Sequence, residues 1–265
     1  MIKAEPIKDN VFSGFSLLKL KKYRQKYNNF IVEGQKMLES LSQFQNWEVE
    51  AVLISYANLE KNGLPDYVKA LRSPVFILNS RQMEKISSLT TPPEILAIVK
   101  VNTWDITLLT DPEKVGLYLD GISDPGNLGT IIRIADWFGI DFVACSDDSV
   151  EWSNQKVVQA TMGSIFKVPI FYLTREDTWE KWQHMPCVIA DINGQDVSKH
   201  TWQAGTRIFI GSESHGISTY FKSKITSVIT ISGAEGRLAE SLNAGTAAAI
   251  IAHSYSISLS NSGYR

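Results

Sequence analysis

The sequence predicts an α/β protein whose second half forms a mostly parallel sheet with helices on both faces. Two observations support this prediction. From residue 114 onward, short apolar runs typical of buried strands alternate with helical stretches, as in chains whose strands are joined by crossover helices. The 265 residues are also 44% hydrophobic and 20% charged, a composition typical of folded domains rather than disordered chains.

The first hundred residues predict a smaller α/β unit. Apolar residues at helical spacing predict helices at 15–22 and 35–44. Short runs rich in apolar and β-branched residues predict strands at 30–32, 49–54, 75–78 and 95–101. A polar, turn-prone stretch follows them, so we expect domains at 1–101 and 113–265 that are joined by a linker at 102–112.

In the second half, strands and helices follow one another closely. Strands are expected at 115–119, 142–145, 168–172, 188–192, 208–210 and 228–231. Helices are expected at 128–138, 153–161, 178–184 and 239–253. Sheets of this kind bind ligands in loops beyond the carboxyl ends of their strands, so those loops are the places to look for a site.

Several functional classes are not indicated by the sequence. It opens without a signal-peptide pattern and has no apolar run of membrane-spanning length, so we expect a cytoplasmic protein without membrane contact. Cys145 and Cys187 are isolated, and the histidines lack metal-ligand spacing, which predicts reduced thiols and no metal. The chain also lacks GxGxxG, GxxxxGK[ST] and GxSxG motifs, which disfavours a dinucleotide site, a nucleotide-hydrolysing loop and a hydrolase triad.

The first notable loop, at 119–129, reads LDGISDPGNLG and leads into an apolar helix. Asp124, Pro125 and Asn127 have good turn chemistry, so a strand-to-helix connection capped by Asn127 is one interpretation. Arg133 does not fit that interpretation. It lies among apolar helix residues, where a cation needs an anionic partner.

Two further loops carry polar side chains in a similar setting. Glu213 follows an apolar strand and lies between Gly211 and Gly216, where it could bind a ligand or cap the following helix. Ser241 and Asn243 open a helix of small apolar residues, and capping explains one of them but not both. The small residues are typical of a helix that packs closely, in a crowded core or at a subunit interface.

Together, these three segments resemble the SpoU/TrmH family of RNA ribose 2′-O-methyltransferases, in the SPOUT or α/β-knot superfamily. Family motif one, Asp-Pro-x-Asn-x-Gly with a later arginine, is matched at 124–133. Motif two, usually Gly-Asn-Glu, appears at 211–213 with Ser212 in place of asparagine. Motif three appears at 229–231 and 241–243, with Thr230 for the family's proline and Ile231 for its methionine.

The resemblance covers 113–260 strongly and implies a fold, a cofactor and an assembly. The implied fold is a deep trefoil knot, an exception to the rule that chains are unknotted. Residues 15–101 more loosely resemble the family's ribosomal-protein-like substrate-binding domain. The family binds S-adenosylmethionine without a metal and forms homodimers through the knot region, with both subunits completing the active site.

The resemblance also assigns roles to residues of this chain. It implies that the cofactor is contacted by Gly211, Ile229, Ile231 and Leu242. It implies that the chemistry is carried by Asn127, Arg133, Glu213, Ser241 and Asn243. The family proposal makes Arg133 a general base, but a guanidinium is effectively always protonated, so a phosphate clamp is an equally good role.

Three alternatives stay open beside the leading interpretation, which is methylation of structured RNA. Ribosomal RNA, most specifically 23S, is favoured because the amino-terminal domain resembles that of rRNA-modifying members, whereas transfer RNA is the second candidate. A non-catalytic RNA-binding or ribosome-assembly factor could keep the fold without the chemistry. An α/β enzyme with a different chemistry is the most general alternative.

The net charge of −2 conceals an asymmetry between the two halves. Residues 1–110 carry 14 basic and 11 acidic side chains, whereas residues 111–265 carry 12 and 17. The first part has a basic cluster with Tyr23 and Tyr27 interleaved, formed by Lys19, Lys21, Lys22, Arg24 and Lys26. The cluster predicts an RNA contact, with an ordinary solvated helix face as the alternative.

Overall fold

The computed structural model of the chain describes residues 4–261, so the predicted domain ends at residues 1 and 265 lie outside the described residues. The chain forms two compact units. Unit 1 contains the residues up to Thr103 together with Glu151–Phe166, and unit 2 contains Trp104–Val150 and the residues from Lys167 onward. The chain leaves unit 1 between Thr103 and Trp104, inside the segment 102–112 for which the sequence predicts a linker.

Unit 1 is built on a mixed five-stranded sheet. Its strands are β1 (Ala4–Pro6), β2 (Asn29–Glu33), β3 (Val49–Ser55), β4 (Val75–Leu78) and β5 (Ile95–Lys100). They lie in the order β1-β4-β3-β5-β2, with β1, β4 and β3 parallel and β5 antiparallel to both β3 and β2. The four strands that the sequence predicts here are confirmed, whereas β1 was not predicted because it is only three residues long.

The helices of unit 1 correct one prediction. They are α1 (Asp9–Ser16), α2 (Lys21–Tyr27), α3 (Gln35–Leu41), α4 (Tyr56–Asn62), α5 (Asp66–Ala70), α6 (Ser80–Ile86) and, from the later segment, α8 (Gln155–Ala160). A single helix at 15–22 is wrong. The chain passes from α1 into a 3₁₀ turn at Leu17–Lys19, and Leu20 is extended before α2 begins. This bend lets Leu18 enter the core while Leu20 stays exposed.

Residues 151–166, which the sequence assigns to the domain 113–265, belong to unit 1 instead. Their packing gives the reason. Trp152 packs edge-on against Phe30 at 5.0 Å between ring centroids. The indole N–H of Trp47 donates to the carbonyl of Phe166 at 2.9 Å. The amide of Gln155 donates to the buried carboxylate of Glu33 at 3.0 Å, so apolar packing and a polar bond both fix the segment.

Arg24 is a structural residue, and its assignment to an RNA-binding cluster is wrong. Its side chain is only 4% exposed and forms an ion pair with Glu151 at 2.9 Å. The same guanidinium donates to the carbonyls of Leu18 and Lys19 at 3.0 and 2.9 Å. A buried cation needs such partners because unpaired burial of charge is unfavourable. The sequence could not show this, because Glu151 is 127 positions away.

Unit 2 is built on a fully parallel six-stranded sheet, as the sequence predicts. Its strands are β6 (Gly116–Asp120), β7 (Phe142–Ser146), β8 (Ile170–Leu173), β9 (Cys187–Asp196), β10 (Arg207–Gly211) and β11 (Val228–Thr230). They lie in the order β11-β9-β10-β6-β7-β8, and every neighbouring pair is parallel. The trefoil knot stays a prediction.

Helices cover both faces of this sheet. They are α7 (Pro125–Phe138), α9 (Arg175–Trp182), α10 (Thr219–Lys222) and α11 (Ala244–Asn261). Tyr118 and Phe209 point to one face, where they pack with Trp182 of α9 and Phe221 of α10. On the other face, α7 and α11 pack together and contact β7 and β10. The predicted helix 239–253 begins later, at Ala244, because the residues before it form an exposed loop.

Both cysteines are free thiols. Burial raises the pKa of Cys145 and of Cys187 to about 12, so both thiols are protonated at neutral pH.

Among the helices described, none combines the length and the apolar character needed to cross a bilayer.

We predict that Arg24→Ala destabilises the protein by about 3 kcal/mol, because it leaves the Glu151 carboxylate without its partner in a mostly buried position. Lys22→Ala is the matched control, because Lys22 is an exposed cation on the same helix. The midpoint of urea unfolding measures the difference. Equal midpoints for the two variants would show that the buried ion pair contributes nothing to stability.

Candidate active site

A cleft of about 680 Å³ lies in unit 2 at the carboxyl ends of β9, β10 and β11. The loops that follow β10 and β11 and the first turns of α11 complete its walls. This is the edge where parallel sheets bind ligands, and the volume suits a small organic molecule. All four residues predicted to contact a cofactor line the cleft, together with two of those predicted for the chemistry: Gly211, Ile229, Ile231, Leu242, Glu213 and Ser241.

The three sequence motifs meet at one carboxylate oxygen, Oε1 of Glu213. This oxygen accepts hydrogen bonds from the side-chain amide of Asn127 and, at 3.2 Å, from that of Asn243. It also accepts from the backbone N–H of Ala244 at 3.4 Å. The Asn243 amide donates in addition to Oδ1 of Asn127 at 2.8 Å, which closes the triangle. We call Asn127, Glu213 and Asn243 the motif triangle.

Helix capping positions two corners of the motif triangle. Asp124, not Asn127 as the sequence suggested, caps α7, because its carboxylate accepts from the Asn127 backbone N–H at 2.8 Å. The Asn127 side chain is therefore available to Glu213. Asn243 caps α11, with Oδ1 accepting from the N–H groups of Gly245 and Thr246 at 2.9 and 3.3 Å.

Glu213 lies at the amino end of α11 and does not cap α10, the helix that follows it in sequence. Its bond from the Ala244 N–H places a negative charge at the positive end of an 18-residue helix, where an anion is stabilised. Only glycine fits at the preceding Gly211. A Cβ there would lie 2.1 Å from the carbonyl carbon of Gly216, so the loop that carries Glu213 closes directly onto the end of β10.

Arg133 contradicts the expectation of a buried cation with an anionic partner. Its neighbours Ile131 and Ile132 are buried in α7, but Arg133 itself is exposed. Within residues 4–261, its side chain forms no ion pair or hydrogen bond, and it is not among the residues lining the cleft. Its guanidinium is therefore free to bind a group that this chain does not supply.

The loop after β11 is attached to the end of β9. The Thr230 hydroxyl, where the resembled family has proline, donates to the carbonyl of Ile192 at 3.3 Å. Hydrogen bonds from the hydroxyls of Ser198 and Ser232 hold the pKa of Asp196 well below its usual range. These bonds fix the start of the segment that ends at Ser241, which is exposed on the cleft.

Asp191 is a cleft residue that the sequence did not single out. Its carboxylate pairs with the Lys222 ammonium at 2.7 Å. Burial alone would raise the pKa of Asp191, but the hydrogen bonds from Lys222 and Asn193 outweigh it and lower the pKa. The signal that could have identified Asp191 from the sequence is its position at the carboxyl end of a predicted strand.

Unit 1 carries a separate basic surface on α2. Lys21, Lys22 and Lys26 of α2 are exposed. Lys19, just before α2, is exposed as well, but its ammonium donates to the carbonyls of Lys85 and Ser87 at 3.1 and 2.8 Å. Tyr23 and Tyr27 stack with ring centroids 6.0 Å apart. The Lys22 and Lys26 ammonium groups lie 5.1 and 5.3 Å from these two rings. We call the three exposed lysines of α2 and the two tyrosines the α2 surface.

Two family models match the chain. The model of the SpoU rRNA methylase family matches residues 114–253, and that of the MRM3-like substrate binding domain matches residues 14–97.

Among the described residues, no three His, Cys, Asp or Glu side chains form a group that could hold a metal ion.

Similar proteins span nearly the whole chain. The 23S rRNA (guanosine(2553)-2′-O)-methyltransferase RlmP of Bacillus subtilis is 24% identical, and the match covers 96% of this chain and 98% of that protein. A TrmH-family structure from Porphyromonas gingivalis is 30% identical, with a TM-score of 0.79 and coverage of 94% and 98%. The SpoU methyltransferase AviRb of Streptomyces viridochromogenes, solved with AdoMet, is 22% identical, with a TM-score of 0.82 and coverage of 94% and 98%.

Proposed function

The chain belongs to the SpoU rRNA methylase family, and on that premise we propose that it methylates a ribose 2′-hydroxyl of 23S ribosomal RNA with S-adenosylmethionine as the donor. The observation that carries the proposal is the motif triangle, in which three distant segments meet at Glu213 on the rim of the cleft. The Bacillus subtilis relative, a 23S rRNA 2′-O-methyltransferase matched over nearly its full length, supports the substrate.

The residues of the cleft fit S-adenosylmethionine. The backbone at Gly211, Ile229 and Ile231 offers donors and acceptors for a nucleoside, and Leu242 and Ile251 offer apolar contact. The carboxylate of Glu213 gives the cleft negative character, which suits a sulfonium cation. S-adenosylmethionine held by these residues would supply an electrophilic methyl group for the ribose oxygen, with the electron pair of the cleaved carbon–sulfur bond staying on sulfur.

The side chains around the cleft position the ribose for this in-line displacement, which depends on alignment and on loss of the hydroxyl proton. We assign Asn127, Glu213, Ser241 and Asn243 to holding the nucleotide, since all four lie at or beside the cleft rim. We assign Arg133 to clamping a phosphate, because its guanidinium stays protonated and has no partner among the described residues. Its positive charge also favours the alkoxide that develops as the hydroxyl proton leaves to solvent.

We propose that the protein is a homodimer whose interface includes α7 and α11. These helices pack together and carry exposed apolar side chains, with Trp137 82% exposed and Ile250 and Ile257 also exposed. Exposed apolar side chains on adjacent helices are typical of a protein interface. Arg133 and Trp137 are four residues apart and so share one face of α7. In such a dimer, Arg133 serves the cleft of the partner subunit.

We propose that the α2 surface binds the RNA substrate. Its exposed lysines neutralise phosphates, and its stacked tyrosines offer faces on which unpaired bases can stack. The match of residues 14–97 to a substrate-binding family model supports this assignment. Arg24 has no part in it, because its charge is neutralised within unit 1.

We predict that Arg133→Ala lowers turnover roughly 100-fold or more while the Kd for S-adenosylmethionine stays within about threefold, because a group that acts only on the RNA leaves cofactor binding intact. Transfer of labelled methyl groups to 23S rRNA and calorimetric titration of the cofactor measure the two effects. Arg81→Ala, which removes an exposed arginine from unit 1, is the control. Unchanged turnover in Arg133→Ala would contradict the assignment.

The same assay separates the alternative functions. Transfer of the labelled methyl group to transfer RNA but not to ribosomal RNA would favour a tRNA enzyme. Absence of cofactor binding would favour a non-catalytic RNA-binding factor. Mapping of 2′-O-methyl groups in a deletion strain and its parent identifies the nucleotide.

We predict that a heterodimer of one Arg133→Ala subunit and one Glu213→Gln subunit has about half of the wild-type activity, because one of its two clefts then has both groups intact. Each variant homodimer is expected to be inactive. Inactive heterodimers with normal cofactor binding would place Arg133 in its own subunit's site.

Trp137→Glu is expected to yield monomers by light scattering, and dimers of that variant would exclude α7 from the interface.

We predict that replacing Lys21, Lys22 and Lys26 with alanine weakens RNA binding and reduces the magnitude of the slope of log K against log salt by about 2 to 3, since each lysine neutralises about one phosphate. The control is the triple variant Lys36→Ala, Lys61→Ala and Lys69→Ala, which removes the same charge from other helices of unit 1. Filter binding across a salt series measures both slopes. The same slope in both variants would mean that the α2 surface is an ordinary solvated helix face.

A further inference from the structure

The carboxylate of Asp120 lies buried directly behind the Glu213 loop. Asp120 is the last residue of β6, and the residue is only 2% exposed. Neither the mechanism above nor the sequence motifs make use of it. A carboxylate at such depth requires compensating donors, so its partners show what the residue holds in place.

Asp120 fastens both ends of the loop that carries Glu213. Its backbone carbonyl accepts from the N–H of Ser212 at 3.1 Å, immediately before Glu213. Its side-chain Oδ2 accepts from the N–H of Ser218 at 2.8 Å, where the loop ends. Between these points, the Gly216 N–H donates to the Ser212 carbonyl at 2.8 Å. The loop 212–218 is thus closed on itself and attached to β6 at two places.

Arg175 neutralises Asp120 from the opposite side. Its Nε and one terminal nitrogen approach Oδ1 of Asp120 at 2.9 and 2.7 Å. The same guanidinium also pairs with the more exposed Asp148 at 2.8 Å. The Nε–H donates a hydrogen bond to Oδ1, and the terminal nitrogen adds an ion-pair contact with the same oxygen. Together they restrict the carboxylate's rotation, and this rotation decides whether Oδ2 points at Ser218. Arg175 is the first residue of α9, far in sequence from all three motifs.

Asp120 also connects to the first motif through the chain itself. The motif-one segment, which delivers Asn127, begins directly after Asp120. The N–H of Gly121, the next residue, donates to the Ser146 hydroxyl at 2.8 Å. Two corners of the motif triangle therefore lie on segments attached to Asp120: the Asn127 segment follows it in the chain, and the Glu213 loop is hydrogen-bonded to it.

We propose that Asp120 and Arg175 are positioning residues for the methyl-transfer site, which set the placement of the Glu213 loop and through it the motif triangle. The inference rests on the proposed function for its catalytic consequence. Its structural part, that loop 212–218 depends on this buried ion pair, stands independently of the reaction catalysed.

The test compares Asp120→Asn with Asp141→Asn. Asp141 is a matched control because its half-buried carboxylate also pairs with one cation, Lys114 at 3.0 Å, and accepts from one backbone N–H, that of Val115 at 2.9 Å. It lies at the amino end of β7, away from the cleft. Hydrogen exchange measured by mass spectrometry on peptides covering 211–219 reports the state of the loop in both proteins.

In Asp120→Asn, we expect exchange in 211–219 to become faster, turnover to fall about 10-fold or more, and the Kd for S-adenosylmethionine to rise, because Gly211 and Glu213 line the cofactor cleft. Asp141→Asn is expected to leave all three quantities near wild type. Arg175→Lys, which keeps the charge but loses the paired donors, is expected to show the same pattern in weaker form. It also serves as the test if Asp120→Asn does not fold.

Unchanged exchange in 211–219 in both Asp120→Asn and Arg175→Lys would overturn the proposal, as would turnover that falls only in proportion to the folded fraction. If the wild-type protein binds no cofactor and methylates no RNA, the proposed function fails. The exchange measurement then still decides whether the ion pair holds the loop.

Discussion

One carboxylate oxygen, Oε1 of Glu213, is the point on which the site of this protein depends. It accepts from two asparagine amides and from the first N–H of α11. The donors come from two segments of the chain, one at Asn127 and one at 243–244, and Glu213 lies on a third, so the oxygen joins three separate loops into one arrangement. The physical requirement behind it is the amino end of a helix, which has unsatisfied N–H groups and favours a negative charge.

The surroundings of Glu213 show why the arrangement is rigid. A side chain at Gly211 would collide with the backbone of Gly216, so the loop has little freedom at its start. Gly245 places α11 against α7, because a Cβ there would lie 3.2 Å from the Thr130 side chain. Asp120 attaches the loop from behind. The polar groups on the rim of the cleft are therefore held by packing and by buried hydrogen bonds rather than by one another alone, which suits a reaction that depends on alignment.

Unit 1 illustrates a division between charges that hold the fold and charges that are free to bind. Arg24 and Glu33 are buried and fully engaged, Arg24 with Glu151 and Glu33 with donors that include Gln155. Lys21, Lys22 and Lys26 stay exposed on the neighbouring helical surface. Residues 151–166 supply the ion-pair partner of Arg24 and one of the donors to Glu33. Arg24 lies in a run of basic residues but does not share their function, because its side chain is buried whereas those of the neighbouring lysines are exposed.

The sequence by itself determined the class of fold and the segments that form the site. Alternation of apolar strands and helices predicted the parallel sheet, because a strand buried on both faces must be apolar throughout. Turn chemistry and misplaced polar side chains marked the loops of Asn127, Glu213 and Asn243, because their residue types are unusual beside apolar strands.

The tertiary structure decided which polar groups pair with each other. In the folded chain, Asp124 caps α7, Arg133 is exposed and Arg24 is buried in an ion pair with Glu151. Residues 151–166 pack in unit 1. The Asp124 cap is a local contact, because its partner Asn127 is three positions away. The other three are not visible in a local pattern, since each depends on a partner or a packing surface many positions away in the chain. Periodicity records which face of an element is buried, whereas only the folded chain determines what lies against that face.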